Sequence, residues 1–326
     1  MSDRSAGTGP LAFRIRPAVH RWLMIAVLVL FASTVSSDLT GVARAGSGTS
    51  AVSAVTRADV VTARTRVAHT AQGAVGYREV GSGSPLVLIM GFSGSMDYWA
   101  PSLVNALAAH HTVIVFDNAG VGRTAALTPP LTITAMAEQT SALIATLHLT
   151  HPAVLGWSMG GMVAQALAVL RPRQVSALIL AATQAGTGES RPIPAGPAAA
   201  LASPNPAAAL SVIFPSDQAA AAHAYVQGIL EYKAFYSASA LVKTRQTAAI
   251  NHWMAGRDPA GRKLRAVRLP TLVADGTGDE LDPTANDHLL ARTVHGARLV
   301  LYPDAGHAFL FQDAPAFAAR IDRFLR

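Results

Sequence analysis

Pro152-Ala153-Val154-Leu155-Gly156-Trp157-Ser158-Met159-Gly160-Gly161 is the stretch whose reading decides the fold. An apolar run leads into Gly-x-Ser-x-Gly, and a helical pattern follows from Met162 to Leu170. Strand, tight turn and helix, with a serine at the tip, is the layout of a nucleophile elbow. A turn this sharp leaves no room for a Cβ two positions either side of the serine. Gly156 and Gly160 therefore stand where larger residues would clash. The helix N-terminus beneath the hydroxyl favours negative charge developing there. Gly91-Phe92-Ser93-Gly94 and Gly81-Ser82-Gly83-Ser84 lack this setting and read as loops. Gly120-Val121-Gly122 follows an apolar run, but position 125 is Ala and no helix-opening glycine follows, so no dinucleotide fingerprint is completed.

Outward from the elbow, the chain from Arg66 onward alternates strand and helix. Residues 67–70 and 75–80 read as a hairpin turned at Gln72-Gly73. Residues 85–90, 112–116, 175–180, 270–274 and 298–302 are short apolar runs, as strands buried on both faces should be. Helical periodicity occupies 98–110, 133–149, 283–294 and 314–325. Such alternation predicts a mostly parallel sheet covered by helices, with ligands at the carboxyl ends of its strands. Between Thr187 and Val267 the alternation stops. Pro-rich turns over 191–206 precede helix-like segments at 219–234 and 237–255, so this stretch reads as an inserted helical cap. Its aromatics Phe214, Tyr225, Tyr232, Phe235, Tyr236 and Trp253 either line an apolar pocket or pack the cap onto the sheet.

A serine hydroxyl needs a base within hydrogen-bond reach to act as a nucleophile at neutral pH. Among eleven histidines, His307 stands apart. It occupies Asp304-Ala305-Gly306-His307-Ala308-Phe309, a loop between the final strand and the last helix, on the elbow's side of the sheet. The base in turn needs an acid to fix its tautomer. Asp275 ends a strand, and Asp282 before Pro283 reads as a helix N-cap, leaving Asp279 in the open loop as the expected acid. The spacing of these acids does not fit an EF-hand. Two backbone donors for an oxyanion are expected at Met159, on the helix start, and at Phe92, in the loop after the strand ending Ile89-Met90.

Ser158, Asp279 and His307 follow the chain order Ser…Asp…His. From residue 66 to 326 the sequence resembles the α/β-hydrolase superfamily in its capped, esterase-like branch. Gly156-Trp157-Ser158-Met159-Gly160-Gly161, Gly276-Thr277-Gly278-Asp279 and Gly306-His307 carry the resemblance. It implies the α/β-hydrolase fold: a mostly parallel eight-stranded sheet flanked by helices, with an inserted helical cap. Asp117-Asn118-Ala119-Gly120-Val121-Gly122-Arg123-Thr124 is similar to the superfamily's Asp-x-Arg-Gly turn, with Ala119 in the arginine's place, and Met90-Gly91 stands where His-Gly is usual. The serine separates the chain from the aspartate-dependent dehalogenase and epoxide hydrolase branches.

The N-terminus reads as an address. Arg4, Arg14, Arg16 and Arg21 precede an uncharged apolar stretch from Trp22, about fourteen residues long and short of the ~20 that span a bilayer. Ala43-Arg44-Ala45 then offers a cleavage site, so residues 1–45 form an expected signal peptide, or an anchor if uncleaved. Residues 46–63, rich in Ser, Thr, Ala and Gly, read as a flexible leader. The expected organisation continues with core at 64–186, cap at 187–267 and core again at 268–326.

Cysteine is absent, which excludes disulfides, thiolate catalysis and Cys-based zinc sites. The formal charge of +7 owes much to residues 1–45, which hold five Arg and two acidic residues. Basic residues elsewhere are scattered, without the clustered stripe a nucleic-acid partner would need. No cofactor and no metal are expected. The reading is an exported enzyme that cleaves a small apolar carboxylic ester or lactone through an acyl-enzyme on Ser158. The same triad would also serve a cofactor-free perhydrolase or haloperoxidase, or a C–C hydrolase. A binding protein with a vestigial triad is the non-enzymatic alternative.

Overall fold

The computed structural model describes residues 59–326. The expected signal peptide, 1–45, and leader residues 46–58 lie outside the described residues.

Strands β1 (Arg66–Thr70) and β2 (Gly73–Val80) form the hairpin that the Gln72-Gly73 turn predicts, with Ala68 opposite Val75. β3 (Ser84–Ile89), β4 (His111–Phe116), β5 (Ala153–Trp157), β6 (Ala177–Ala181), β7 (Thr271–Gly276) and β8 (Arg298–Tyr302) run parallel to one another. The eight strands make one sheet in the order β1-β2-β4-β3-β5-β6-β7-β8, with β2 antiparallel to both neighbours. The central strands are buried on both faces, which is why they read as continuous apolar runs. Their side chains divide by the two-residue period of a strand. Leu86, Leu88, Val113, Val115 and Leu155 enter one core, while Val87, Ile89, Ile114, Phe116 and Val154 enter the other.

Helices α1 (Pro101–Ala108), α2 (Ile133–Thr146) and α3 (Met159–Leu170) cover the sheet. Leu103 and Leu107 of α1 fill the first core, and Met136, Leu143, Met162 and Val163 of α2 and α3 fill the second. After β6 the chain leaves the sheet for α4 (Ala195–Ala202), α5 (Pro206–Ile213), α6 (Ala219–Leu230), α7 (Ala240–Met254) and α8 (Pro259–Arg262). It returns with α9 (Ala285–Thr293) after β7, then α10 (Phe309–Gln312) and α11 (Ala314–Leu325) after β8. Between β6 and β7 the chain thus forms helices and loops and adds no strand to the sheet.

Two local readings differ from the structure. The segment read as Pro-rich turns contains α4 and the start of α5. Pro197 is the third residue of α4 and Pro206 the first of α5, where a missing N–H interrupts no helical hydrogen bond. The end of the stretch read as leader is docked rather than free. Val60 is fully buried and donates its N–H to Asn105 Oδ1 at 2.9 Å, and Asn105 Nδ2 donates to Asp59 Oδ1 at 3.0 Å.

Candidate active site

β5 delivers Ser158 to the carboxyl edge of the sheet with φ 57° and ψ −123°, a conformation few L-residues adopt. Such strain costs on the order of 1–3 kcal/mol, so the surroundings must hold it. The Ser158 N–H donates to Ala181 O at 2.9 Å, and the Ser158 carbonyl accepts from Gly161 N–H at 2.9 Å and Thr183 Oγ1 at 2.7 Å. A Cβ on Gly160 would collide with the Ile89 carbonyl, and one on Gly156 with the Gly160 carbonyl. Both glycines are therefore required by close approach of backbone, as the sequence pattern predicts.

The loop after β8 presents His307, buried, with Nδ1 2.6 Å from Asp279 Oδ2. The other Asp279 oxygen accepts the Leu281 and Asp282 N–H groups at 2.6 and 2.8 Å, so the carboxylate is fixed from both sides. The Trp157 indole donates to the His307 carbonyl at 2.9 Å, tying the histidine loop to β5. Burial pushes the His307 pKa down. The Asp279 charge and hydrogen bond, with Asp282 behind, outweigh that and leave it above the ordinary 6.5.

Two other aspartates sit differently. Asp275 Oδ1 accepts the next N–H, that of Gly276, at 2.7 Å, so this side chain is held in its own turn. Asp282 is not the N-cap of the next helix. That helix begins at Ala285 with Thr284 before it, and the Asp282 carboxylate turns inward to accept from Asn286 Nδ2 at 2.8 Å. Asp275, Asp282 and Asp287, all fully buried, bring carboxylate oxygens within 4.8 Å of one another. Of the acidic and histidine side chains among the described residues, these three could together hold a cation. Burial and the neighbouring carboxylates push Asp282 up to about 7 and Asp287 up to about 9, so protons neutralise much of this cluster.

The N–H groups of Phe92 and Met159 donate to no backbone acceptor among the described residues. The Phe92 loop is pinned from both sides. Asn118 Nδ2 donates to Met90 O at 2.8 Å, while Ser93 (φ 64°) donates its N–H to Gln246 Oε1 at 2.8 Å and accepts from Ala238 N–H at 2.9 Å. Gln246 escaped the sequence reading. Its signal was position: it shares the buried face of α7 with Val242, Ala249, Ile250 and Trp253, a place a glutamine occupies only with a partner.

Ser158 and His307 line one cavity of about 380 Å³ with Met90, Trp157, Leu210, Ile213 and Tyr225. Of the cap aromatics, Tyr225 alone reaches this cavity. Tyr232 donates to Trp99 O and Trp253 to Gln184 O, so these two fasten the cap to the core. A second cavity of about 430 Å³ lies across Phe92 and Leu201, which line both. Among the remaining histidines, His111 is also buried. It opens β4 at the opposite edge of the sheet, with Nε2 3.0 Å from Asp322 Oδ1, and ties that strand to α11.

Residues 86–321 match the alpha/beta hydrolase family. The chain belongs to that family. This alpha/beta hydrolase is 28% identical over 268 residues to a putative carbamate hydrolase, RutD, of Caulobacter sp., covering 76% of this chain and 95% of the relative. It is 40% identical over 116 residues to a putative non-heme bromoperoxidase, BpoC, of Mycobacterium tuberculosis. That match covers 35% of this chain and 44% of the relative, less than half its length. The solved structure of an alpha/beta hydrolase fold protein from Chitinophaga pinensis superposes with a TM-score of 0.72 at 27% identity, covering 82% of this chain and 98% of that one.

Proposed function

We propose that this alpha/beta hydrolase cleaves a carboxylic ester or lactone through an acyl-enzyme on Ser158. The observation that carries the reading is the 2.6 Å contact of Asp279 with His307 beside the cavity both His307 and Ser158 line. Asp279 accepts from Nδ1–H and so keeps Nε2 free to take the Ser158 proton. The Ser158 oxygen adds to the ester carbonyl, and the oxyanion that forms accepts from the Phe92 and Met159 N–H groups. Each such donor is worth about 3 kcal/mol in the transition state. His307 then protonates the leaving alcohol and, in the second half, deprotonates the water that releases the acid. The apolar walls suit an apolar chain beside the scissile carbonyl. The similarity to a carbamate hydrolase supports an acyl carbonyl bonded to a heteroatom as the group attacked.

The test is covalent. A fluorophosphonate should label Ser158, and short p-nitrophenyl esters should be hydrolysed. Ser158→Ala should abolish labelling and lower kcat by on the order of 10⁶. Labelling elsewhere, with turnover retained in the variant, would exclude the mechanism.

The bromoperoxidase similarity favours a second reading, in which hydrogen peroxide replaces water at the acyl-enzyme and the product is a peracid. Bromination of monochlorodimedone that requires peroxide, a carboxylate and Ser158 would identify it. Export belongs to the proposal as well, supported by the arginines, apolar stretch and Ala43-Arg44-Ala45 of the N-terminus. Intact mass of the protein recovered outside the cell should correspond to a start near Gly46.

A further inference from the structure

Lys243 is, among the described residues, the one lysine, arginine or acidic side chain lining the cavity that holds Ser158 and His307. It is half-buried, and no carboxylate among the described residues lies within ion-pair distance of it. A lysine on a cap helix ordinarily sends its ammonium to water. Here Leu241, two residues earlier, is the side chain left exposed, and the lysine stands against the cavity. Ser237 and Lys243 line the same space, so the start of α7 lies beside it. A cation in the first turn of a helix opposes the helix dipole, so the position gains nothing for the helix itself.

We infer that the substrate of this site carries a carboxylate at the end remote from its scissile carbonyl, and that Lys243 binds it. The inference rests on the ester or lactone reading of Ser158 and names the class of substrate. A neutral apolar ester filling the cavity would strip water from the ammonium and return nothing for it. A carboxylate supplies the missing countercharge in surroundings of low polarity, where the attraction is stronger than in water. The remaining walls, Met90, Leu210, Ile213 and Tyr225, take the methylene chain between the two ends. Burial lowers the Lys243 pKa from its ordinary value, in keeping with an ammonium that has no partner in the protein.

The experiment compares monomethyl adipate and monomethyl suberate with methyl hexanoate and methyl octanoate, each pair differing by a carboxylate for a methyl. Hydrolysis is followed by chromatography of the acids released. The wild-type enzyme should favour one of the monoesters over its neutral partner by about 10- to 100-fold in kcat/KM, the range for one partly buried charge pair. Lys243→Met should bring that ratio near one, and Lys243→Glu should invert it. Should turnover be slow, protection of Ser158 from fluorophosphonate gives the same comparison, with the monoester protecting and the neutral ester not. Equal treatment of both members of each pair by the wild-type enzyme overturns the lysine inference while leaving the ester reading in place. So does an equal loss on both in Lys243→Met. Failure of the fluorophosphonate to label Ser158, with no ester turned over, overturns both.

Discussion

The turns that follow β5 and β7 leave the same edge of one sheet, two strands apart, yet different physics holds each in shape. At Ser158 the determinants are steric. Two glycines admit neighbouring carbonyls, and hydrogen bonds to its backbone N–H and carbonyl fix a strained residue without any charged group. After β7 the determinants are electrostatic. Asp275, Asp279, Asp282 and Asp287 crowd together, and of these Asp279 has both oxygens occupied by donors. The elbow should therefore be indifferent to pH but intolerant of one added methyl. The acid turn should tolerate an isosteric change but respond to every proton.

The largest effect tests the acid turn at its working end. In Asp279→Asn the amide oxygen still satisfies the Leu281 and Asp282 N–H groups, which forces the NH₂ toward His307 Nδ1. The histidine then carries its proton on Nε2 and loses its capacity as base, and kcat should fall about 10⁴-fold, the scale known for a triad aspartate-to-asparagine change. The pH profile gives an independent reading. Wild-type kcat/KM should rise with pH through an acid limb lying above 6.5, because the proposed base, His307, must be neutral to act and its pKa is raised. That limb should move down in the variant. A small loss in kcat with the limb unmoved would mean that Asp279 does not govern the histidine.

The next effect tests the elbow. Gly160→Ala places a methyl against the Ile89 carbonyl and should cost about 3 kcal/mol or more. Gly196→Ala is the control, since beyond its chain neighbours a Cβ there meets nothing within 4 Å on exposed α4. The gain of about 0.5–1 kcal/mol from replacing a helical glycine is offset by Pro197, which disfavours helical backbone for a residue with a Cβ before it, so the net change should stay small. Thermal unfolding should separate the pair, with a loss of many degrees in Gly160→Ala and little change in Gly196→Ala. Equal, small shifts would remove the steric account of the elbow.

The same contrast explains what could be read from the sequence. A steric requirement leaves its mark in the residues that meet it, so Gly156, Ser158 and Gly160 announced the elbow, and unbroken apolar runs announced the buried strands. The meeting of Asp279 with His307 was legible because each falls in a short loop after a strand, at the edge the elbow had already defined. What escaped depends on partners distant in sequence. Asp282-Pro283 carries the local signature of a helix cap, but Asn286 draws the carboxylate inward and the helix starts later. Gln246 looks like any helical glutamine until Ser93, far earlier in the chain, is brought against it. In α4 the alanines give no amphipathic stripe to detect, since none of its residues is buried.

The smallest effect tests whether the buried acids behind Asp279 hold the fold or burden it. Asp287 has its carboxyl pKa raised to about 9 by burial and by the charges of Asp282 and Asp279, against 3.8 in the open chain. A carboxyl raised in the folded state contributes stability that is fully present below 3.8 and is lost as pH climbs through the folded value. Asp282, raised to about 7, adds the same sign over a narrower window. The protein should therefore melt at a lower temperature at pH 9 than at pH 6. Asp287→Asn removes the proton dependence at one position while keeping the size of the side chain. It should raise the melting temperature at pH 9 by a few degrees, equivalent to about 1–2 kcal/mol, and shrink the difference between the two pH values. Neither of its buried oxygens accepts from an N–H or hydroxyl donor, and the amide can still hydrogen-bond the neighbouring Asp275 carboxyl. A variant that instead melts lower at both pH values would show that the Asp287 carboxylate holds a charged or cationic partner, and the acid turn would then be braced by attraction rather than by shared protons.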